Sequence, residues 1–215
     1  MWTDVEGVRT ARLLEYDTRT LPFAQWLAAR IYKTPCLDKL HEHACAPSAS
    51  LTYEDNLRLR NLMQRLKDDS PFYKLYNGFA VNVIAAQFGR KIAYSSHPKM
   101  RVHLAGTPTV SKWHRDVDVT GRFDQINVWL PFTNAFGGNS LWIESDYGAG
   151  DYRPVEARYG QALLFDGGLL EHGTVTNDTD TTRVSLDFRF SILGDALPEI
   201  ARPFFENRPE RKTLT

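Results

Sequence analysis

The chain has 215 residues, of which 42% are hydrophobic and 12% aromatic, so it is long and apolar enough for one domain with a sizeable core. Lys and Arg total 26, and so do Asp and Glu, so the chain lacks the basic field expected of a protein that binds nucleic acid or an anionic membrane. We find no apolar run long enough to span a membrane, no signal peptide and, with only Cys36 and Cys45, no disulfide framework, so we expect a cytoplasmic protein.

The first 90 residues are predicted to be mostly helical and to support the rest of a single domain spanning residues 1–215. Residues 1–19 have only weak strand character. Capping residues and apolar spacing predict helices over residues 21–32 after Thr20, from Thr34 through Leu40, from Thr52 after a loop at residues 47–50, and from Ser70 to Gly89. Their apolar residues recur at helical spacing, which is typical of core packing.

From residue 91 to residue 193 the pattern changes to short strands separated by turns rich in Gly, Asn and Asp. Predicted strands cover residues 91–94, 101–105, 113–119, 125–131, 140–144, 152–157, 162–165, 174–177 and 183–192. Strands this short and this numerous predict a mainly β fold, a double-stranded β-helix or jelly roll, packed by the N-terminal helices. The tail, residues 194–215, is rich in proline near its start and is predicted to form a short helix or to fray.

A His-x-Asp motif lies in the predicted strand over residues 113–119. If this segment is extended, His114, Asp116 and Asp118 share one face, with neighbours on that face roughly 6.5–7 Å apart. Two such side chains can bind one metal ion, whereas Asp118 would be about 13 Å from His114 and too far away to share it. A third ligand must come from elsewhere, and His172 is the best candidate. Two histidines and a carboxylate are the ligands of non-haem Fe(II) oxygenases, although a surface His-x-Asp pair often binds nothing.

The last predicted strand alternates strictly between apolar and polar residues. The apolar set is Val184, Leu186, Phe188 and Phe190, and the polar set is Arg183, Ser185, Asp187 and Arg189. We expect the apolar set to pack on the N-terminal helices and the polar set to point into the roll. Charges that point inward need partners, because a bare buried charge is very costly. An anionic ligand inside the roll would meet that need, and a strand with a solvated polar face is the alternative.

Together these residues resemble the Fe(II)- and 2-oxoglutarate-dependent dioxygenases, specifically the phytanoyl-CoA dioxygenase-like branch, over roughly residues 97–192. Within that branch the chain is similar to the small oxygenases of streptomycin-type aminoglycoside pathways. The matching blocks are residues 101–106, 113–116, 127–131, 139–145, 163–167, 171–173 and 177–189. The order and spacing of the blocks carry the resemblance: His172 follows His114 by 58 residues, and Arg183 follows His172 by 11.

The resemblance implies a role for each matching residue. His114, Asp116 and His172 would bind Fe(II). Weaker assignments are cosubstrate contacts from Asn127, Trp129 and His103. Separately from the resemblance, the side chains of Asp118, Trp113, Trp142 and Glu144 would suit contacts with a polar substrate. Each of these seven side chains has core packing or a structural hydrogen bond as its alternative.

Binding of 2-oxoglutarate is assigned to the polar face of the last strand. Arg183 would hold the distal carboxylate in a bidentate contact, for which Arg is better suited than Lys. Ser185, on the same face, would add a hydrogen bond. Arg189 is a rival for this contact, and Asp187 could neutralise it.

The implied reaction uses dioxygen and 2-oxoglutarate to oxidise a small molecule, with release of succinate and carbon dioxide. The outcome is hydroxylation or oxidative ring closure, and Asp116 argues against halogenation, because halogenases of this superfamily lack the metal carboxylate. The resemblance suggests an aminocyclitol or sugar intermediate as substrate, with an amino acid or another small metabolite as an alternative. A zinc-dependent hydrolase and a non-catalytic jelly-roll binding protein remain open as other functions.

Overall fold

The computed structural model of the protein describes residues 2–43, 50–206 and 208–209, which form a pair of antiparallel sheets together with several helices. The strands are β1 (Trp2–Asp4), β2 (Ala11–Glu15), β3 (Ile92–Tyr94), β4 (Lys99–His103), β5 (Ile126–Pro131), β6 (Trp142–Ile143), β7 (Arg153–Pro154), β8 (Gln161–Phe165), β9 (His172–Gly173) and β10 (Arg183–Ile192). The α-helices are α1 (Phe23–Leu27), α2 (Tyr53–Gln64), α3 (Pro71–Gly78), α4 (Ala86–Phe88) and α5 (Asp116–Thr120). Segments of π-helix cover Ala28–Tyr32 and Phe79–Ala85, and 3-10 turns cover Leu40–His43, Gly137–Asn139 and Glu199–Phe204. No described helix is both long and apolar enough to cross a bilayer.

Strand β10 is the centre of the larger sheet. Among the described strands, the order of this sheet is β1-β2-β8-β5-β10-β3, and β4 pairs with the other half of β10. Ser185 of β10 lies opposite Arg101 of β4 and Pro131 of β5, and Arg183 lies opposite His103. The smaller sheet has the order β7-β6-β9. All these pairings are antiparallel, as expected for the mainly β fold that the sequence predicts.

An apolar cluster holds the two sheets face to face. The larger sheet contributes Trp129 of β5 together with Leu163 and Phe165 of β8. These side chains pack with Ile143 of β6 in the smaller sheet. Each of these four side chains is at most 2% exposed. Burial of apolar surface stabilises by about 25 cal/mol per Å², so this contact helps to hold the two sheets together.

A second, larger cluster joins the outer face of the larger sheet to the helices. Phe188 of β10 lies 5.2 Å from the ring of Tyr76 and 6.4 Å from that of Phe79, both edge to face. Val184 and Leu186 of the same strand belong to this cluster. Because side chains alternate along a strand, the polar residues of β10 must point to the opposite face, into the roll.

Capping residues fix the ends of the supporting helices. Thr52, before α2, donates from its N–H and its Oγ1 to Asp55 Oδ2 at 3.1 and 3.0 Å. Ser70, before α3, accepts a hydrogen bond at its Oγ from the N–H of Phe72. Gly89, with a φ of +59°, ends the helical segment that starts with α3. The starts of α2 and α3 and the helix end at Gly89 agree with the sequence prediction.

Several predicted elements differ in the structure. Residues 1–19 contain two well-defined strands, β1 and β2, because β2 pairs along β8. The helix predicted from Thr34 is reduced to the 3-10 turn Leu40–His43. Predicted strands over residues 140–144 and 152–157 shorten to the two-residue strands β6 and β7.

The predicted strand over residues 174–177 is wrong. Its N–H groups bind carbonyls of an irregular segment, with Thr174 N–H donating to Ser111 and Asn177 N–H donating to Thr107. The ladder forms two residues earlier, at β9. Cys45, most of the loop predicted at residues 47–50 and the end of the predicted tail lie outside the described residues.

Replacing Phe188 with Ala should lower the free energy of unfolding by about 3–5 kcal/mol, because a large cavity would remain in the core. Phe188 is 3% exposed, whereas Phe136 is 39% exposed and serves as the matched control. Phe136→Ala should change stability by about 0.5 kcal/mol or less. Urea unfolding measures both variants, and similar small losses would contradict this account of the core.

Candidate functional site

A reciprocal backbone contact brings His114 and His172 together. The N–H of each residue donates to the carbonyl of the other at 3.0 Å. The two imidazole centroids lie 4.4 Å apart. Gly173 permits this close approach, since a Cβ at that position would lie within 2.9–3.1 Å of atoms of Trp113. The spacing of the two rings is therefore set by the backbone.

Each imidazole is oriented by a carbonyl oxygen. His114 Nδ1 lies 2.7 Å from the carbonyl of Lys112, and His172 Nδ1 lies 2.9 Å from that of Leu170. A carbonyl only accepts hydrogen bonds, so each neutral ring carries its proton on Nδ1 and keeps a lone pair on Nε2. Burial lowers the pKa of His172 to about 4, which favours the neutral ring. Both histidines thus present the atom with which imidazole binds metals.

The predicted strand over residues 113–119 is also wrong. Only His114 pairs in a ladder, and Asp116 begins the short helix α5. The N–H of Asp116 donates to the carbonyl of Gly167 at 2.8 Å, and the next N–H donates to that of Gly168 at 3.1 Å. These carbonyls, from a distant turn, replace the strand partner that the sequence pattern suggested. His114 and Asp116 therefore meet through a turn into a helix, and not through the alternation of a strand.

The Asp116 carboxylate is buried and strongly held. Arg189 donates from Nε to Oδ2 and from Nη2 to Oδ1, both at 2.5 Å, and Asn127 Nδ2 donates to Oδ2 at 2.5 Å. Burial by itself would raise the pKa of Asp116, but contacts with His114, Arg189 and Asn127 hold this pKa well below its usual range. The carboxylate is therefore ionised. The partner of Arg189 is Asp116, and the expected neutralisation of Arg189 by Asp187 is not observed.

His114, Asp116 and His172 together could hold a metal ion. Each offers one ligand atom, and these atoms all lie within 4.8 Å of one another. His114 Nε2 is 3.5 Å from Asp116 Oδ1, and this contact is the main cause of a raised pKa at His114. Two imidazoles and one carboxylate would leave further positions of a metal open to other ligands.

The three residues lie at a cavity whose empty volume, including solvent at its mouth, is about 450 Å³. Its lining residues are Arg101, Ser111, His114, Asp116, Asn127, Trp129, Leu141, Phe165, His172, Thr174, Arg183, Asp187 and Arg189. Three of these are arginines and two are aspartates. The cavity is thus the place where the polar face of β10 meets the candidate metal ligands.

Arg183 is buried in this cavity, where the negative charge of Asp187 only partly offsets its own. Its side chain is among the largest fully buried ones, and within the described residues Nε and Nη1 have no hydrogen-bond acceptor. Burial and the neighbouring Arg101 lower the pKa of Arg183 to about 9. Ser185 Oγ is likewise buried and has no hydrogen-bond partner among the described residues. Buried polar atoms normally have partners, so this cluster indicates a missing polar ligand.

A second pair of charges lies nearer to solvent. Arg101 Nε donates to Asp187 Oδ2 at 3.2 Å, and the two side chains are 19% and 28% exposed. Sequence reasoning missed Arg101 as a cavity residue. The sequence did contain a signal for Arg101. It lies two residues before His103 in a strand, so the two side chains share a face.

The other predicted cosubstrate contacts are close to these groups. Trp129 lines the cavity, and its ring lies 5.7 Å from the guanidinium carbon of Arg183. Asn127 also lines the cavity but uses its amide on Asp116. Their roles toward a cosubstrate stay predictions.

The predicted substrate contacts are not brought together. Glu144 is 1% exposed and accepts hydrogen bonds from the backbone N–H groups of Glu171 and Gly150, which makes it a structural residue. Trp142 donates from its indole to the carbonyl of Gly137. Neither residue is among those that line the cavity, and the substrate contacts of Glu144 and Trp142 stay predictions.

Asp118 and Trp113 lie near the metal ligands but outside the cavity lining. Asp118 is on α5, and its carboxylate pairs with Arg115 at 3.0 Å. The predicted contact of Asp118 with a substrate stays a prediction. Trp113 is 36% exposed and packs against Tyr152 with the rings tilted by 38° at a centroid distance of 4.1 Å.

One protein of known sequence is similar to a stretch of this chain. Over 92 residues the chain is 46% identical to the streptomycin biosynthesis protein StrG of Streptomyces griseus. The match spans 43% of this chain and 43% of StrG, so the chain is a homologue of StrG over less than half of either protein. No family model matches the chain.

Solved structures resemble the chain over nearly its full length. The crystal structure of EctD from S. alaskensis with 2-oxoglutarate and 5-hydroxyectoine gives a TM-score of 0.57 at 15% identity, covering 97% of this chain and 84% of EctD. AviO1 from Streptomyces viridochromogenes Tue57 gives a TM-score of 0.58 at 14% identity, covering 89% of this chain and 93% of AviO1. At these identities the likeness concerns the fold alone, and it supports the predicted jelly roll.

The buried His103 should make stability depend on pH. Burial and Arg183 lower its pKa in the folded protein to about 3, below the value of about 6.5 of an unfolded chain. The unfolded state therefore takes up the proton first, and the free energy of unfolding falls as the pH falls from about 6.5 toward about 3. Between about pH 7 and pH 5, the free energy of unfolding of His103→Gln should fall by about 2 kcal/mol less than that of the wild type, as measured by urea unfolding. Equal losses would show that His103 is not buried as a neutral ring.

Proposed function

We propose that this chain is an Fe(II)- and 2-oxoglutarate-dependent oxygenase that hydroxylates or oxidatively cyclises a small polar molecule and releases succinate and carbon dioxide. One observation carries the proposal. The same cavity contains a group of metal-ligand type, His114, Asp116 and His172, and a buried arginine, Arg183, two of whose guanidinium nitrogens have no hydrogen-bond acceptor in the described residues.

The metal would be held by His114, Asp116 and His172. Both Nε2 atoms are unprotonated in the tautomers that the carbonyl contacts favour, and the carboxylate is ionised. This donor set is the facial triad of non-haem Fe(II) oxygenases. When bound, iron supplies the activation of dioxygen, and decarboxylation of the cosubstrate supplies the electrons.

Arg183 fits the distal carboxylate of 2-oxoglutarate. Its guanidinium has two buried nitrogens without acceptors, and a carboxylate accepts two parallel hydrogen bonds from such a group. Ser185 Oγ is unsatisfied two residues along the same face of β10 and would add a donor. An anion here would also lower the cost of burying the Arg183 charge.

Arg189 and Asn127 are positioned to orient the metal-binding carboxylate. Together they hold both oxygens of Asp116. A metal ion must take at least one of these oxygens, so we expect the contact from Arg189 Nη2 to Oδ1 to lengthen on metal binding. Phe165, which packs edge-on against His172 at 5.1 Å, would keep water from that side of the site.

The proposed substrate is a small polar intermediate of natural-product biosynthesis, such as an aminocyclitol or a sugar. Support comes from the likeness to StrG, a protein named for streptomycin biosynthesis. The partly exposed ion pair of Arg101 and Asp187 in the cavity wall also suits a polar substrate better than an apolar one.

A zinc-dependent hydrolase and a non-catalytic jelly-roll binding protein are the alternatives. The ligand set would suit zinc, but a hydrolase has no use for the unbalanced Arg183. Two measurements separate the functions: a visible charge-transfer band on anaerobic addition of Fe(II) and 2-oxoglutarate, and succinate release in air. A hydrolase gives neither, and a binding protein gives no succinate.

Replacing Asp116 with Ala should abolish the visible band and the succinate release while the fold survives. The carboxylate is one of only three protein ligands proposed for the metal. Asp118→Ala is the matched control, because this neighbouring aspartate forms an exposed pair with Arg115 that contributes about 1 kcal/mol or less. Wild-type behaviour of the Asp116 variant would overturn the metal assignment.

Replacing Arg183 with Gln should weaken 2-oxoglutarate binding by roughly 10- to 150-fold, since a charge-assisted contact contributes about 1.5–3 kcal/mol. Metal affinity should change little. Titration of the charge-transfer band with 2-oxoglutarate measures the effect. If Arg189→Gln weakens 2-oxoglutarate binding more than Arg183→Gln does, the carboxylate contact belongs to Arg189.

A further inference from the structure

Arg208, near the end of the described chain, forms a buried ion pair with Asp166. Its guanidinium donates to both carboxylate oxygens, from Nε at 2.7 Å and from Nη2 at 2.5 Å. The Arg208 side chain is 10% exposed, and that of Asp166 is fully buried. Arg208 also donates to the backbone carbonyls of Phe123 and Gln125. One side chain therefore joins the C-terminal segment to two other regions of the protein.

Asp166 begins the turn 166–170, which contacts both segments that carry candidate metal ligands. On one side, the carbonyl of Gly167 accepts the N–H of Asp116 at 2.8 Å. On the other, the carbonyl of Leu170 orients the ring of His172 at 2.9 Å. The turn is closed on itself, because the carbonyl of Asp166 accepts the N–H of Leu170 at 2.8 Å.

Little space remains in this turn for another arrangement. A Cβ on Gly167 would lie 2.5 Å from atoms of Asn127, the amide that binds Asp116. A Cβ on Gly168 would lie 3.2 Å from Oδ1 of Asp166, the oxygen to which Nη2 of Arg208 donates. A shift of the turn would therefore move the support of Asp116 and the support of His172 together.

We propose that Arg208 is a positioning residue for the metal centre: by clamping Asp166 it fixes the turn 166–170, and that turn holds Asp116 and His172 in place. This inference rests on the proposed metal site. Arg208 does not line the cavity, so it acts through the turn and touches neither metal nor cosubstrate. Tyr147, whose hydroxyl donates to Asp166 Oδ2 at 2.7 Å, is neutral and does not replace the charge of Arg208.

A Co(II) titration of the full-length protein under argon tests the proposal, with Co(II) as a visible probe of the site. Arg208→Ala should bind Co(II) about tenfold or more weakly, in the range seen when outer partners of metal ligands are removed. Arg202→Ala is the matched control, because Arg202 lies in the same segment but forms only an exposed pair with Glu206 at 3.7 Å. It should bind Co(II) like the wild type.

Hydrogen exchange of the metal-free protein gives a second readout that loss of stability alone would not produce. The N–H groups of Asp116 and Val117 donate to the turn, at 2.8 and 3.1 Å. In Arg208→Ala their exchange should accelerate more than that of the β10 backbone, whereas global destabilisation would accelerate both alike.

The outcomes separate the two proposals. If the wild type binds Co(II), and Arg208→Ala binds it equally well with unchanged exchange at Asp116, the positioning role is overturned and the metal site stands. If the wild type binds no Co(II), both are overturned. Should Arg208→Ala fail to fold, Arg208→Lys decides: lysine cannot make the two-point contact with Asp166, so wild-type Co(II) binding by this variant would overturn the proposal.

Discussion

The cost of burying charge is the constraint on which this site depends. Five charged side chains line one cavity inside an otherwise apolar roll. Asp116 is matched by Arg189, and Asp187 is matched by Arg101, so each pair offsets much of its own desolvation. Arg183 has no such partner in the described chain. The imbalance is therefore local to Arg183, and a negatively charged ligand beside it would offset the cost of its burial.

Short backbone contacts hold the candidate metal ligands of this cavity in a fixed arrangement. The reciprocal hydrogen bonds between His114 and His172 fix two rings with no intervening side chain. The turn 166–170 then supports the carboxylate segment on one side and the second ring on the other. None of these contacts requires a long regular element. A site built from a single bridge, one turn and a five-residue helix can be rigid because each backbone group involved has a partner.

The sequence correctly predicts those elements whose conformation is set by residues close together in the chain. The alternation along β10 and the capping residue Ser70 specify their structures within a few residues, and both agree with the structure. The segment around Asp116 is predicted as a strand because valine and threonine favour strands, yet its conformation is set by carbonyls of a turn some fifty residues away. Glu144 is predicted at a substrate because it is charged, whereas backbone amides bury it. In both cases the deciding partner is distant in the chain, and no local pattern reveals it.

The two faces of β10 also limit how this sequence can change during evolution. Inserting or deleting one residue within the strand would exchange its faces, because side chains alternate with a period of two. Val184 would then enter the cavity in place of Arg183, and an arginine would enter the aromatic layer around Phe188. A single event would remove the charges of β10 from the cavity and place them in the core. Descendants of this chain should therefore vary in length in their loops, and even a copy that has lost its activity should keep the length of β10.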